Sequence, residues 1–75
     1  MDEAELLTMQ KAYKAAVDEW VTAIRAEEDL ASTEPSLAQV DDWEEAHFRE
    51  EVARNTAKKA KKNYEDAIRQ QLFHF

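Results

Sequence analysis

The sequence predicts an all-α fold, a two-helix antiparallel hairpin, from three observations. The 75 residues contain no glycine and a single proline. Proline interrupts helices because it lacks an N–H donor, and Pro35 lies near the midpoint between two segments with helical apolar periodicity. Thirteen alanines add a strong preference for helix. Since two helices enclose no interior, the remaining apolar surface predicts dimerisation into a four-helix bundle.

The first helix is predicted over about residues 3–30. Asp2-x-x-Glu5 has the spacing of a capping box, and an acidic first turn complements the helix dipole. Apolar residues then recur at helical spacing over about six turns. This stripe comprises Leu6, Met9, Tyr13, Ala16, Val17, Trp20, Ala23, Ile24, Leu30 and Ala31.

The second helix is predicted over about residues 41–72, after a connection at about 31–40, so that residues 1–75 form one domain. Ser36-x-x-Gln39 and Asp41-x-x-Glu44 both fit a capping box. Residues 36–40 are therefore interpreted as a helical turn that leads into the second helix or is continuous with it. The apolar stripe of this helix is rich in alanine and has a polar gap at Glu50, so large residues of the first helix face small ones.

Composition excludes several classes of protein. The chain has no cysteine, so disulfides cannot stabilise it. An acidic N-terminus and the lack of any apolar stretch of about 20 residues predict a protein without a signal peptide or membrane span. We expect a cytoplasmic protein. The net charge of −7 argues against general affinity for nucleic acid or anionic membranes.

The charges are unevenly distributed along the predicted rod. Residues 15–52 contain twelve acidic residues and two arginines, a net charge of −10, whereas the remaining residues carry a net charge of +3. A hairpin places these two sets at opposite ends. Because opposite charges attract, we predict that two copies pair antiparallel.

One short motif is typical of metal sites. Glutamate and histidine at i,i+3, as in Glu44-x-x-His47, project to one side of a helix and recur in dimetal sites of four-helix bundles. Glu27 of the first helix is expected at the same level. The hairpin plan and this motif resemble encapsulated ferritins, whose two-helix subunits build an iron site on dimerising. The resemblance implies that Glu27, Glu44 and His47 bind iron or zinc; the alternative is a histidine at an interface edge, paired with a carboxylate and without a cofactor.

Basic residues form a belt across the predicted hairpin. They are Lys11, Lys14, Arg54, Lys58, Lys59, Lys61 and Lys62. A basic belt on a helical hairpin dimer resembles the plasmid copy-number regulators that bind paired RNA loops. Nucleic-acid recognition gains from aromatics between basic residues, but Tyr13 and Tyr64 are assigned to the core, so a solvated face is the alternative.

The acidic end suggests the opposite function. Closely spaced carboxylates can imitate a phosphate backbone, and small phage-encoded inhibitors sometimes act in this way. The residues concerned are Glu27, Glu28, Asp29, Asp41, Asp42, Glu44 and Glu45. Acidic surface is also an ordinary protection against aggregation.

The favoured function is that of a non-enzymatic protein-interaction or assembly module. The chain has no cysteine, no glycine-rich loop and no Ser-His-Asp constellation, and His47 and His74 lie far apart. A homo-oligomer is expected, and an unidentified protein partner is the alternative. Small size and the lack of catalytic groups make a phage or other mobile element a candidate source. The predicted interface residues are Tyr13, Trp20, Trp43, Phe48, Val52, Phe73 and Phe75, with the two tryptophans as buried anchors.

Overall fold

The chain folds as an all-α helical hairpin, as its sequence predicts. The computed structural model describes residues 3–31 and 37–73, and both ranges are helical throughout. Helix α1 spans Glu3–Ala31 and helix α2 spans Leu37–Phe73. The two helices pack antiparallel along their length, with Trp20 contacting Glu50 and Tyr13 lying beside Tyr64.

The helix boundaries follow local chemistry. Glu3 and Glu5 place negative charge in the first turn of α1, where it favours the helix dipole; the predicted cap at Asp2 lies outside the described residues. Helix α2 begins at Leu37, four residues before the expected start at Asp41. Residues 37–40 contain no helix breaker, and they therefore form the first turn of one continuous helix.

The interface between the helices is narrow and built from small residues. Ala16, Ala57 and Ala67 are buried, and no large side chain among the described residues is completely removed from solvent. Tyr13 and Tyr64 pack against each other with ring centroids 6.1 Å apart. The hairpin measures 55 × 16 × 13 Å, and its long axis equals the length of a 37-residue helix, about 55 Å at 1.5 Å per residue.

Three Glu–Arg ion pairs at i,i+4 form on α2. They join Glu45 to Arg49, Glu50 to Arg54 and Glu65 to Arg69. Of these acids, Glu50 is only 8% exposed and contacts Trp20 of α1. Among the residues described, neither helix is both long enough and apolar enough to cross a membrane.

Candidate functional site

Glu50 is the most unusual residue of the structure, because it is a carboxylate buried between two helices. It occupies the polar gap in the apolar stripe of α2. The indole Nε1–H of Trp20 donates a hydrogen bond to Glu50 Oε1 over 3.1 Å, and Arg54 Nη1 lies 3.7 Å from the same oxygen. A buried carboxylate needs such partners, since leaving it unpaired would cost several kcal/mol.

A second carboxylate and a histidine lie beside Glu50. His47 Nδ1 is 3.5 Å from Glu27 Oε1, so the contact joins α2 to α1. One ligand-type atom from each of Glu27, His47 and Glu50 lies within 4.8 Å of the other two. We call these three residues the Glu-His-Glu cluster. Glu27 and Glu50 are more buried than His47, which faces solvent.

Both tryptophans of the chain contact this cluster. Trp20 donates to Glu50, whereas the ring of Trp43 stacks on that of His47 with centroids 5.9 Å apart and an interplanar angle of 11°. Trp43 is four residues before His47 on α2, a spacing at which helical side chains meet. The stacking limits the orientations that the imidazole can take.

The structure brings together two of the three residues predicted as metal ligands. Glu27 and His47 are neighbours, as the antiparallel pairing predicts. Glu44 is exposed and does not belong to the cluster among the described residues, where the third member is Glu50. Glu44 and Glu50 lie three residues before and after His47, so spacing alone could not choose between them. The polar gap at Glu50 in an apolar stripe was the signal in the sequence.

The predicted interface residues differ in their exposure. Tyr13 and Trp20 are partly buried between α1 and α2. Trp43 is 48% exposed within the single chain and stacks on His47 at the surface; its burial in an assembly stays a prediction. Phe48, Val52 and Phe73 are also exposed, and Phe75 lies outside the described residues.

The basic belt is partly neutralised by neighbouring acids. Arg54 forms an ion pair with Glu50. Lys61 Nζ lies 3.9 Å from Glu65 Oε1, and Lys62 Nζ lies 2.9 Å from Asp66 Oδ2. The hydrogen bond from Lys62, helped by the charges of Lys62 and Arg69, lowers the pKa of Asp66 below its usual value of 3.8. The remaining belt residues, Lys11, Lys14, Lys58 and Lys59, are exposed.

A shallow groove lies elsewhere on the hairpin. It has a volume of about 520 Å³, and its lining includes Ala23, Ala26, Ala46 and Ala53. Charged residues such as Glu19 and Arg49 also line it. The groove contains none of the three cluster residues, so it is a separate feature created by small side chains between two long helices.

The fold and the cluster define a class of protein, a small all-α hairpin with a buried carboxylate at its helix interface. Comparison with protein-family models, with curated proteins and with solved structures found no match.

Proposed function

We propose that this protein is a non-enzymatic assembly module that associates with a second copy of itself. The observation that supports the proposal is the exposure of large apolar side chains on the two described helices, where the buried apolar residues are alanines. Phe48 is 64% exposed and Val52 is 48% exposed, although both lie on the longer helix. Since burying such side chains contributes roughly 1.5–3 kcal/mol each, association has a favourable driving force.

Phe48 and Val52 belong to a regular stripe on α2. At about 100° per residue, Asp41, Phe48, Val52 and Lys59 fall within about 40° of one another around the helix. The same geometry puts them roughly 160° from Ala57, which is buried against α1. We call these four exposed residues the outer stripe of α2. The stripe has an acid near the turn, two apolar residues in the middle and a base beyond them.

This order of residues is self-complementary. If two copies of α2 pair antiparallel about a two-fold axis level with residue 50, Phe48 of one copy faces Val52 of the other. In the same register, Asp41 faces Lys59, and by symmetry each contact occurs twice. The charges of the whole chain favour the same direction, because the acidic turn end of one rod meets the basic end of the other.

In the proposed dimer the two α2 helices are central and the two α1 helices are outside. This order differs from a bundle in which all four helices surround one core. The outer stripe favours the central pairing, because Phe48 and Val52 point away from α1.

Cysteine cross-linking tests the register directly, because the natural chain contains no cysteine. Phe48→Cys and Val52→Cys chains are prepared separately, mixed and oxidised. We expect a disulfide-linked dimer mainly in the mixture, since a disulfide needs Cβ atoms about 3.5–4.5 Å apart. A mixture of Phe48→Cys with Leu72→Cys, which is also an exposed position on α2, should cross-link poorly.

The mass of the assembly is the second test. Sedimentation equilibrium should show a dimer that Phe48→Glu converts to a monomer. Phe73→Glu is a matched control, because Phe73 has almost the same exposure, 63%. The sequence pattern also predicts Phe73 as an interface residue, but the proposed register leaves it beyond the overlap of the two helices. A monomeric natural chain, or equal dissociation by both variants, would contradict the proposed contact.

A further inference from the structure

We infer that the Glu-His-Glu cluster is a binding site for one divalent transition-metal ion within each chain, of the zinc or iron(II) class. This inference is independent of self-association, because all three ligands come from one hairpin. It depends on the juxtaposition of Glu27 on α1 with His47 and Glu50 on α2.

The distances are close to those that a metal ion requires. Ligand atoms on a tetrahedral ion with bonds of about 2.0–2.2 Å lie roughly 3.3–3.6 Å apart. The separation of His47 Nδ1 from Glu27 Oε1, 3.5 Å, already falls in this range. All three ligand atoms lie within 4.8 Å of one another. The other two pairs therefore need to approach by at most about 1.5 Å to reach the separations on a tetrahedral ion, and side-chain rotation supplies such a shift.

Glu50 has an oxygen available for a metal ion. Both of its protein contacts, from Trp20 and from Arg54, use Oε1. Neither of these contacts uses Oε2. The Trp20 contact has the form of an outer-shell hydrogen bond, which holds a ligating carboxylate in one orientation. Trp43, stacked on His47, holds the imidazole in a similar way.

The charge and the donor types indicate which ions fit. Two carboxylates and one imidazole bring a charge of −2 before the contribution of Arg54, and a divalent cation offsets it. Imidazole and carboxylate together suit zinc and iron, whereas magnesium and calcium prefer oxygen ligands alone. Three protein ligands leave at least one coordination position for water or another ligand. His47 is the exposed member, so the ion would enter from its side.

Zinc titration of the full chain, followed by tryptophan fluorescence and native mass spectrometry, tests the inference. Both tryptophans contact the cluster, so a saturable change in emission should accompany binding. We expect one zinc ion per chain, and cobalt(II) should give the visible absorption of an N/O-ligated site. Magnesium and calcium at equal concentration should not displace zinc. One ion per dimer would overturn the assignment to a single chain.

Variants identify the ligands. Glu50→Gln retains an acceptor for Trp20 but removes the anionic ligand, and we expect zinc affinity to fall at least tenfold. His47→Ala and Glu27→Gln should have the same effect. Trp20→Phe should weaken binding about tenfold, as is typical of an outer-shell partner.

Glu44→Gln is the matched control, because Glu44 is also three residues from His47 but lies outside the cluster. Its zinc affinity should equal that of the natural chain. If Glu44→Gln weakens binding as much as Glu50→Gln, or if zinc binds equally to every variant, the proposed site is wrong. Absence of stoichiometric zinc binding by a chain with the natural circular dichroism spectrum would also overturn it.

Discussion

At the scale of the residue, Glu50 is the side chain whose polar contacts fix how the two helices pair. It replaces an apolar residue at a buried position, and its carboxylate connects Trp20 of α1 with Arg54 of α2. Such a network fixes the register of two helices, because sliding one past the other would leave a buried charge unpaired. The alanines around it make only apolar contacts, which do not fix the register of the two helices in this way.

Replacing Trp20 by phenylalanine should destabilise the chain through this contact. The change keeps an aromatic ring but removes the hydrogen bond to Glu50, and we expect a loss of about 1–3 kcal/mol in the free energy of unfolding. Glu50→Leu in the Trp20→Phe background should recover much of the loss, because the uncompensated carboxylate is then absent. Urea unfolding of the three chains measures this, and a Trp20→Phe chain of natural stability would contradict the assignment.

The pKa of Asp66 predicts a pH-dependent contribution to stability. The hydrogen bond from Lys62 lowers this pKa below 3.8 in the folded chain, so the contribution is present above that value. It is lost as the pH falls through the lowered folded-state pKa. Asp66→Asn should therefore lower the Tm at neutral pH, and the difference from the natural chain should shrink at pH values below about 4. A difference that is independent of pH would show that another interaction is responsible.

At the scale of the element, the two helices approach through alanines. Ala57 is only 3% exposed, so a larger side chain there would press on the neighbouring helix. The apolar stripes of both helices therefore stabilise the hairpin because small side chains let the two backbones approach closely, and not because large side chains are buried between them. This packing also explains why Phe48 and Val52 remain outside it.

Enlarging a buried alanine should separate the helices. We expect Ala57→Leu to cost about 1–3 kcal/mol, because the added methylenes cannot fit without moving α1 away from α2. Ala12→Leu is the control, since Ala12 is exposed on α1 and its replacement should change stability little. Thermal unfolding followed by circular dichroism compares them; equal Tm values would contradict the burial of Ala57.

At the scale of the whole molecule, stability and assembly are expected to be linked. Cores of this size rarely supply more than roughly 3–5 kcal/mol alone. Burial of the outer stripe in a dimer would add to this, so the Tm of the natural chain should rise with protein concentration. The Phe48→Glu chain should show no such rise, and a concentration-independent Tm of the natural chain would argue against self-association.

Charge reversal tests the direction of pairing. In the proposed antiparallel register Asp41 faces Lys59, so Asp41→Lys and Lys59→Glu should each weaken the dimer. The chain with both changes should regain affinity, because the pair is restored with its signs exchanged. Sedimentation at low ionic strength measures this most clearly, since salt screens exposed charges. Additive weakening in the double variant would exclude this register.

The sequence by itself determined the hairpin. The missing glycines, the one proline near the midpoint and the helical spacing of apolar residues depend on local rules, and such rules act within a few residues along the chain. They also placed Glu27 close to the level of His47. When two helices pair antiparallel about a turn of known position, the residues that lie side by side follow approximately from their distance to that turn. The start of α2 was less certain, because residues 36–40 fit either a separate turn or a continuous helix.

Only the tertiary structure decided which side chains meet. Spacing made Glu44 and Glu50 equivalent partners of His47, but the rotation of α2 against α1 buries Glu50 and leaves Glu44 in solvent. The same rotation leaves Trp43 at the surface of the single chain. The angle at which two helices face each other results from packing along their whole length. A pattern within one helix does not contain that angle, and the site could not be chosen without it.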